Sequence, residues 1–286
     1  MSDDHEDQSP AATVTAPRTA GKLRGAVDVA ARRRGATVKR LQALVGNVIV
    51  AQMLPEAAVK GGTGLKLRFG DRMTRETPDL DAAFRGDREA FLGELSANLK
   101  SGWHDFTGTA TALAQRAPEE LLERVTMAYV MLPVSVKLNY RGKPFMTVDL
   151  EIGYDELEAT TDDPVETEMS TEVLGLFAEL GLPEPAPVRV LPLRHQMSQK
   201  LHACSEPGNA RAHDLVDLQL MAPACDPAEV KHTAQRLFAF RKSHPWPPVV
   251  VAGEGWESLY AGAAEGLDVL ELDAAVAWVN EYIRSL

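Results

Sequence analysis

The chain has 286 residues, with 30 Lys and Arg against 41 Asp and Glu, a formal net charge of −11; 45% of it is hydrophobic and 25% charged. This is the composition of a globular protein of one large or two ordinary domains, and its acidity excludes indiscriminate coating of nucleic acid. No apolar run reaches the length of a membrane span, and Cys204 and Cys225, which lack metal-ligand spacing, read as reduced buried thiols of a cytoplasmic protein.

Residues 1–20 open with MSDDHEDQSPAATVTAP, an acidic stretch without the apolar centre of a signal peptide, and predict a disordered tail. From Arg18 to Arg40 the charge inverts, with eight Lys or Arg facing the single acid Asp28. The stripe Leu41, Leu44, Val45, Val48 and Ile49 predicts a helix with this basic segment as its approach. The approach reads either as a solvated face or as an arm that grips phosphate.

Residues 57–70, AAVKGGTGLKLRFG, read as a short strand, a Gly-rich turn and a helix. PDLDAAF follows as a strand, and residues 86–100 as a helix with Asp87 in its first turn. Residues 125–156 form the strongest hairpin signal, two runs rich in Val, Thr, Tyr and Phe around YRGKP. The acidic stretch 157–171 reads as an excursion. Beyond it, helices are expected over 171–181, 191–204, 211–222, 226–243, 256–264 and 272–285, with a Pro-rich break around Trp246, itself expected to be a packing anchor. The order predicts an α+β fold: residues 21–156 as a mixed sheet with helices, including the basic N-terminal helix, and residues 157–286 as a mainly helical C-terminal domain.

Three constellations carry chemistry. In the first, Gly61, Gly62 and Thr63 form a strand-to-helix turn whose backbone N–H groups can approach a phosphate, although the GK[ST] ending of a Walker loop is absent. Asp79 and Asp81 follow, with Arg75 and Thr77 interposed. Two residues apart on a strand, these acids share a face and repel each other unless a cation stands between them. In the second, MTVDLEIG, alternation puts Asp149 and Glu151 together on the polar face, so a third carboxylate is expected from one or the other. Carboxylates on neighbouring strands beside a phosphate turn are an oxygen-donor set suited to Mg²⁺, the ion of nucleotidyl transfer. In the third, Lys200 lies on one helix and Arg211, Asp214 and Asp217 recur at i, i+3 and i+6 on the next. That pattern reads either as an ion-pair network or as a lysine that touches a nucleotide phosphate while an Asp orients it. His195, His202 and His213 lack the spacing of a zinc site.

VKGGTGLKLRFGDRMTRETPDLD, an acidic central strand, QKLHA and RAHDLVDLQLM, in that order, resemble the AbiEii/MenT-type nucleotidyltransferase toxins over roughly residues 45–222. The resemblance implies a DNA polymerase β-like nucleotidyltransferase fold with helical additions, and a cytoplasmic toxin paired with a separately encoded antitoxin. It implies Mg²⁺-dependent transfer of NMP, a pyrimidine such as CMP, from NTP to the 3′ end of tRNA, which blocks aminoacylation and translation. By motif it makes Gly61, Gly62 and Thr63 the phosphate turn, with Gly-Thr replacing the usual Gly-Ser and keeping a hydroxyl. Lys66, Arg75 and Thr77 join the nucleotide site, Thr77 at a place where some members carry a hydroxyl that an antitoxin can phosphorylate. Asp79 and Asp81 are the metal ligands, with Asp149 or Glu151 as the third. Lys200 matches the family lysine, and Asp214 or Asp217 the acid downstream. A basic groove from Arg32, Arg33, Arg34, Lys39, Arg40, Lys66, Arg68 and Arg72 is expected to receive the RNA. Two other readings stay open: transfer to a hydroxyl of a protein or small molecule, and a nucleotide-binding module without turnover.

Overall fold

The structure, a computed structural model, describes residues 15–114, 131–161 and 165–286. The tail expected over residues 1–20 therefore lies outside the described residues up to residue 14. By residue 17 the chain is already tied down, since the Tyr140 hydroxyl donates to the Pro17 carbonyl.

The basic segment is itself a helix rather than an approach to one. Helix α1 (Ala20–Arg34) is capped by the Thr19 side chain and ends at Gly35 (φ 68°), a left-handed turn that suits glycine. Leu23, Val27, Ala30 and Ala31 bury its inner face, an apolar stripe that the dense charge obscures in the sequence. Helix α2 (Val38–Ala51) starts from a second hydroxyl cap, Thr37.

Five strands form the main sheet: β1 (Ala57–Lys60), β2 (Leu80–Phe84), β3 (Phe106–Ala112), β4 (Leu132–Tyr140) and β5 (Lys143–Tyr154), in the order β1-β2-β5-β4-β3. All neighbours pair antiparallel except β2 and β5, which run parallel. Along β5, Val148, Leu150 and Ile152 are buried while Asp149 and Glu151 are exposed, as alternation requires. The expected hairpin is β4–β5, turning at Arg141 and Gly142, both at positive φ; residues 125–130 of that prediction lie outside the described residues. Strand β3, FTGTATA, went unpredicted because threonine, alanine and glycine dilute the apolar alternation. Between the strands lie α3 (Gly61–Phe69) and α4 (Arg88–Ser101), the latter capped by Asp87, which accepts from the Ala90 N–H.

Residues 165–170 are less of an excursion than expected. There β6 (Thr167–Glu168) pairs with β7 (Val188–Arg189), and α5 (Thr171–Glu179) between them packs Val173, Leu176 and Phe177 into the same apolar cluster as the sheet. The C-terminal domain expected from residue 157 thus leaves α5 with the first core. Five further helices follow: α6 (Leu193–Ser205), α7 (His213–Met221), α8 (Pro227–Arg241), α9 (Trp256–Ala264) and α10 (Leu272–Ser285). They enclose a second cluster centred on Met197, Leu201, Leu215, Leu218 and Trp256. Trp246 packs against Phe238, ring centroids 5.2 Å apart. Helix α3 belongs to both clusters: Leu67 sits in the first and Leu65 in the second.

Lys66, between those two leucines, is 1% exposed. Its ammonium lies 2.5 Å from Asp71 Oδ1 and 3.4 Å from the Thr74 hydroxyl, while Arg40 Nε reaches Asp71 Oδ2 at 2.9 Å. The residue expected to touch nucleotide therefore holds the loop after α3 against α2, inside the protein, because its helical position faces inward between two apolar neighbours. Burial lowers the Lys66 pKa from 10.5 to about 8, a pull that the attraction of Asp71 only partly offsets. Between those values the unfolded chain binds the proton and the folded one does not, so stability rises with pH across the window. Denaturant melts of wild type and Lys66→Met should show the wild type gaining about 3 kcal/mol relative to the variant from pH 7 to pH 10.5.

Candidate active site

Parallel pairing of β2 with β5 sets Asp81 level with Glu151, and Lys60 of β1 lies level with Asp81 on the other side. Asp79, just before β2, feels both Asp81 and Asp149. Burial, and then repulsion from Asp81 and Asp149, raises the Asp79 pKa. Glu151 is raised in the same way by burial, Asp81 and Asp79, with Lys60 opposing. Both alternatives for a third carboxylate, Asp149 and Glu151, thus join the pair, one acting on Asp79 and the other aligned with Asp81.

The glycine turn holds this acidic edge. Gly61 has φ 61°, and a Cβ there would lie 2.1 Å from Asp81 Oδ2, so the carboxylate packs over bare backbone. A Cβ on Gly62 would come within 2.7 Å of Thr77 Cβ. Thr77 is itself buried against the turn. The Thr63 hydroxyl, expected at the phosphate, instead donates to the Asp79 carbonyl at 2.8 Å. It faces the interior because Thr63 is fully buried under α2. Asn47 of α2, which the sequence reading passed over, donates to Thr63 Oγ1 at 3.0 Å and to the Asp79 carbonyl at 3.1 Å. The start of β2 is thereby fixed from two helices. The N-terminus of α3 carries no side-chain cap.

Opposite stands a wall of paired cations. Lys200 Nζ lies 2.7 Å from both Asp214 Oδ1 and Asp217 Oδ2. Arg211 Nε reaches Asp214 Oδ2 at 2.7 Å, and Arg75 Nε reaches Asp217 Oδ2 at 3.0 Å. The two aspartates are fully buried. Burial pulls the Lys200 pKa down, but Asp214 and Asp217 outweigh it and leave it above the usual value. Burial likewise pushes Asp214 up, yet Lys200 and Arg211 hold it well below the carboxylate range. Three permanent cations against two carboxylates leave one excess positive charge, and Arg211 and Arg75 project the field of this wall onto Asp81 and Asp79.

Asp81, Glu151, Gly61, Lys60, Lys200 and Arg211 line one cavity of about 520 Å³. Arg241, paired with Glu156 at 2.8 Å and 2.6 Å, closes another side. Arg241 and Glu156, which come from α8 and the loop after β5, belong to no sequence motif. Lys60 stood in the quoted strand but was overshadowed by the glycines beside it. The basic groove is not assembled as expected. Arg33 and Arg34 pair with Glu179, Arg68 with Glu166 and Glu168, Arg72 with Glu172, and Arg40 with buried Asp71. Lys39, however, is exposed and close enough to Asp79 to lower its pKa. His195, His202 and His213 form no metal site: among the described residues no three His, Cys, Asp or Glu could hold an ion unaided.

The profile of the nucleotidyl transferase AbiEii toxin family, a type IV toxin–antitoxin system, matches residues 42–281. The fold is similar to that of MenT4, nucleotidyltransferase toxin Rv2826c from Mycobacterium tuberculosis H37Rv, with a TM-score of 0.53 at 16% identity over 92% of this chain and 98% of that one. Among curated proteins no relative matches the chain. Removing one partner of a buried ion pair leaves an uncompensated charge, so Lys200→Met should lose about 3–5 kcal/mol in equilibrium urea unfolding. The exposed Lys39→Met should stay within about 0.5 kcal/mol of wild type.

Proposed function

Since the chain belongs to the AbiEii nucleotidyltransferase toxin family, we propose that it transfers NMP from a pyrimidine nucleoside triphosphate to the 3′ end of tRNA, with Mg²⁺ held at the acidic edge. One observation carries the reading: Asp81 and Glu151, level on paired strands, share a single cavity with Lys200, Arg211 and Gly61, the first residue of α3.

The residues suit the metal. Asp79 and Asp81, with Asp149 or Glu151, offer hard oxygen donors whose mutual repulsion a divalent cation relieves. They do not form a complete cage among themselves, as befits Mg²⁺, which takes its remaining ligands from water and substrate phosphates. When bound, the ion supplies charge stabilisation at the reacting phosphate.

The protein's own groups do the rest. The uncapped end of α3 and the excess charge of the Arg75–Lys200–Arg211 wall draw the triphosphate in. Asp214 and Asp217 hold the Lys200 ammonium at one point, so little reorganisation is left for the reaction. The acceptor oxygen forms a bond to the α-phosphorus as the bond to the bridging oxygen breaks. Pyrophosphate leaves with the electron pair, and the acceptor proton passes to solvent. Lys39 beside Asp79 offers a phosphate contact to an incoming single strand. In the type IV arrangement the antitoxin is a separate protein.

Labelled CTP, UTP, ATP and GTP in turn should be incubated with total tRNA and Mg²⁺. Label is expected on the tRNA 3′ end with a pyrimidine triphosphate, and Asp79→Ala or Asp81→Ala should lower the rate at least about a hundredfold. Label on protein instead would move the acceptor. Equal toxicity of Asp79→Ala and wild type in cells, with no transfer by either, would end the reading.

A further inference from the structure

We propose that Lys60 is a further residue in contact with substrate, its ammonium binding the β- and γ-phosphates of the nucleotide and staying with the departing pyrophosphate. The inference rests on the nucleotidyl-transfer reading above and names a group that neither the motif nor the ion-pair pattern singles out.

Lys60 is the last residue of β1, level with Asp81 and immediately before Gly61. Its side chain lies along the cavity wall, and its ammonium reaches over Gly153, where an added Cβ would stand 3.4 Å from Nζ. Glycine at 153, next after Glu151 on the same face of β5, makes room for the Met131 sulfur, which would stand 2.6 Å from such a Cβ and lies beside the ammonium. The contact Lys60 makes there is with Met131 Sδ at 3.9 Å, and a thioether is a weak acceptor. The other cations lining the cavity are committed: Lys200 to Asp214 and Asp217, Arg211 to Asp214, Arg241 to Glu156. Among the described residues Lys60 forms no ion pair, although it lies close enough to Glu151 to lower its pKa.

A half-buried ammonium with a thioether as its near neighbour gives up hydration for little in return. The position favours an anion that arrives with the substrate. Lys60 and Gly61, the first residue of α3, line the same cavity, so an anion bound there can meet both. A lysine on a four-carbon stem follows a moving charge better than the fixed fork of an arginine. As the α-phosphorus bond to its bridging oxygen breaks, negative charge grows on the pyrophosphate; Lys60 stays protonated and donates hydrogen bonds to it.

A structural role, filling the space over Gly153 or tempering Glu151, makes different demands. The full chain and its Lys60→Met and Lys60→Arg variants should be titrated with CTP, inorganic pyrophosphate and CMP in Mg²⁺, alongside steady-state transfer. Lys60→Met should weaken CTP and pyrophosphate about tenfold or more, with CMP within about twofold. It should lower kcat, keep the wild-type melting curve, and regain most of the loss in Lys60→Arg. Unchanged pyrophosphate binding in Lys60→Met, or an equal loss for CMP, would overturn the assignment. A wild type that transfers nucleotide normally while Lys60→Met matches it sinks only this inference; a wild type that neither binds CTP nor transfers sinks the function itself.

Discussion

Like-charge repulsion organises this protein. The parallel pairing of β2 with β5 forces Asp81 beside Glu151 and brings Asp79 within reach of Asp149, an arrangement that costs free energy in the isolated fold. Burial first, and this repulsion second, raise the pKa values of Asp79 and Glu151, and the arrangement is tolerated because the surroundings over-determine the geometry. Thr63 and Asn47 hold the Asp79 carbonyl, and the Gly61 backbone leaves a hollow for the Asp81 carboxylate.

The cationic wall solves the opposite problem. Lys200 sits in the interior and would lose its charge there without help. Two fully buried aspartates keep it ionised, and each is shared with an arginine, Arg211 or Arg75, which offsets the excess negative charge. The ion-pair reading of this segment describes what the side chains do. The pairs are what allow a buried positive charge to persist beside the cavity.

Most of the scaffold was legible because it rests on strong periodicity. The C-terminal helices lie within a few residues of their expected limits, and β1, β2 and the β4–β5 hairpin follow from apolar alternation between turn residues. What escaped had weak or misleading local signals. Strand β3 is built of threonine, alanine and glycine and takes its place from pairing with β4. Helix α1 hid its apolar stripe among arginines. At the site, residue type suggested chemistry that orientation denied: Lys66 and Thr63 point inward on α3, a fact set by tertiary packing and invisible to a motif. The ion pairs of the basic segment were illegible for a related reason, since Arg68 and Arg72 meet Glu168 and Glu172, about a hundred residues away in the chain.

Helix α3 has a mechanical consequence. Nine residues long, it beds Leu67 in the cluster under the sheet and Leu65 in the cluster of the C-terminal helices. Swinging the two halves apart like a hinged shell would tear the helix from one bed or the other. The cavity therefore lies between two packed bodies that a single short helix pins to each other.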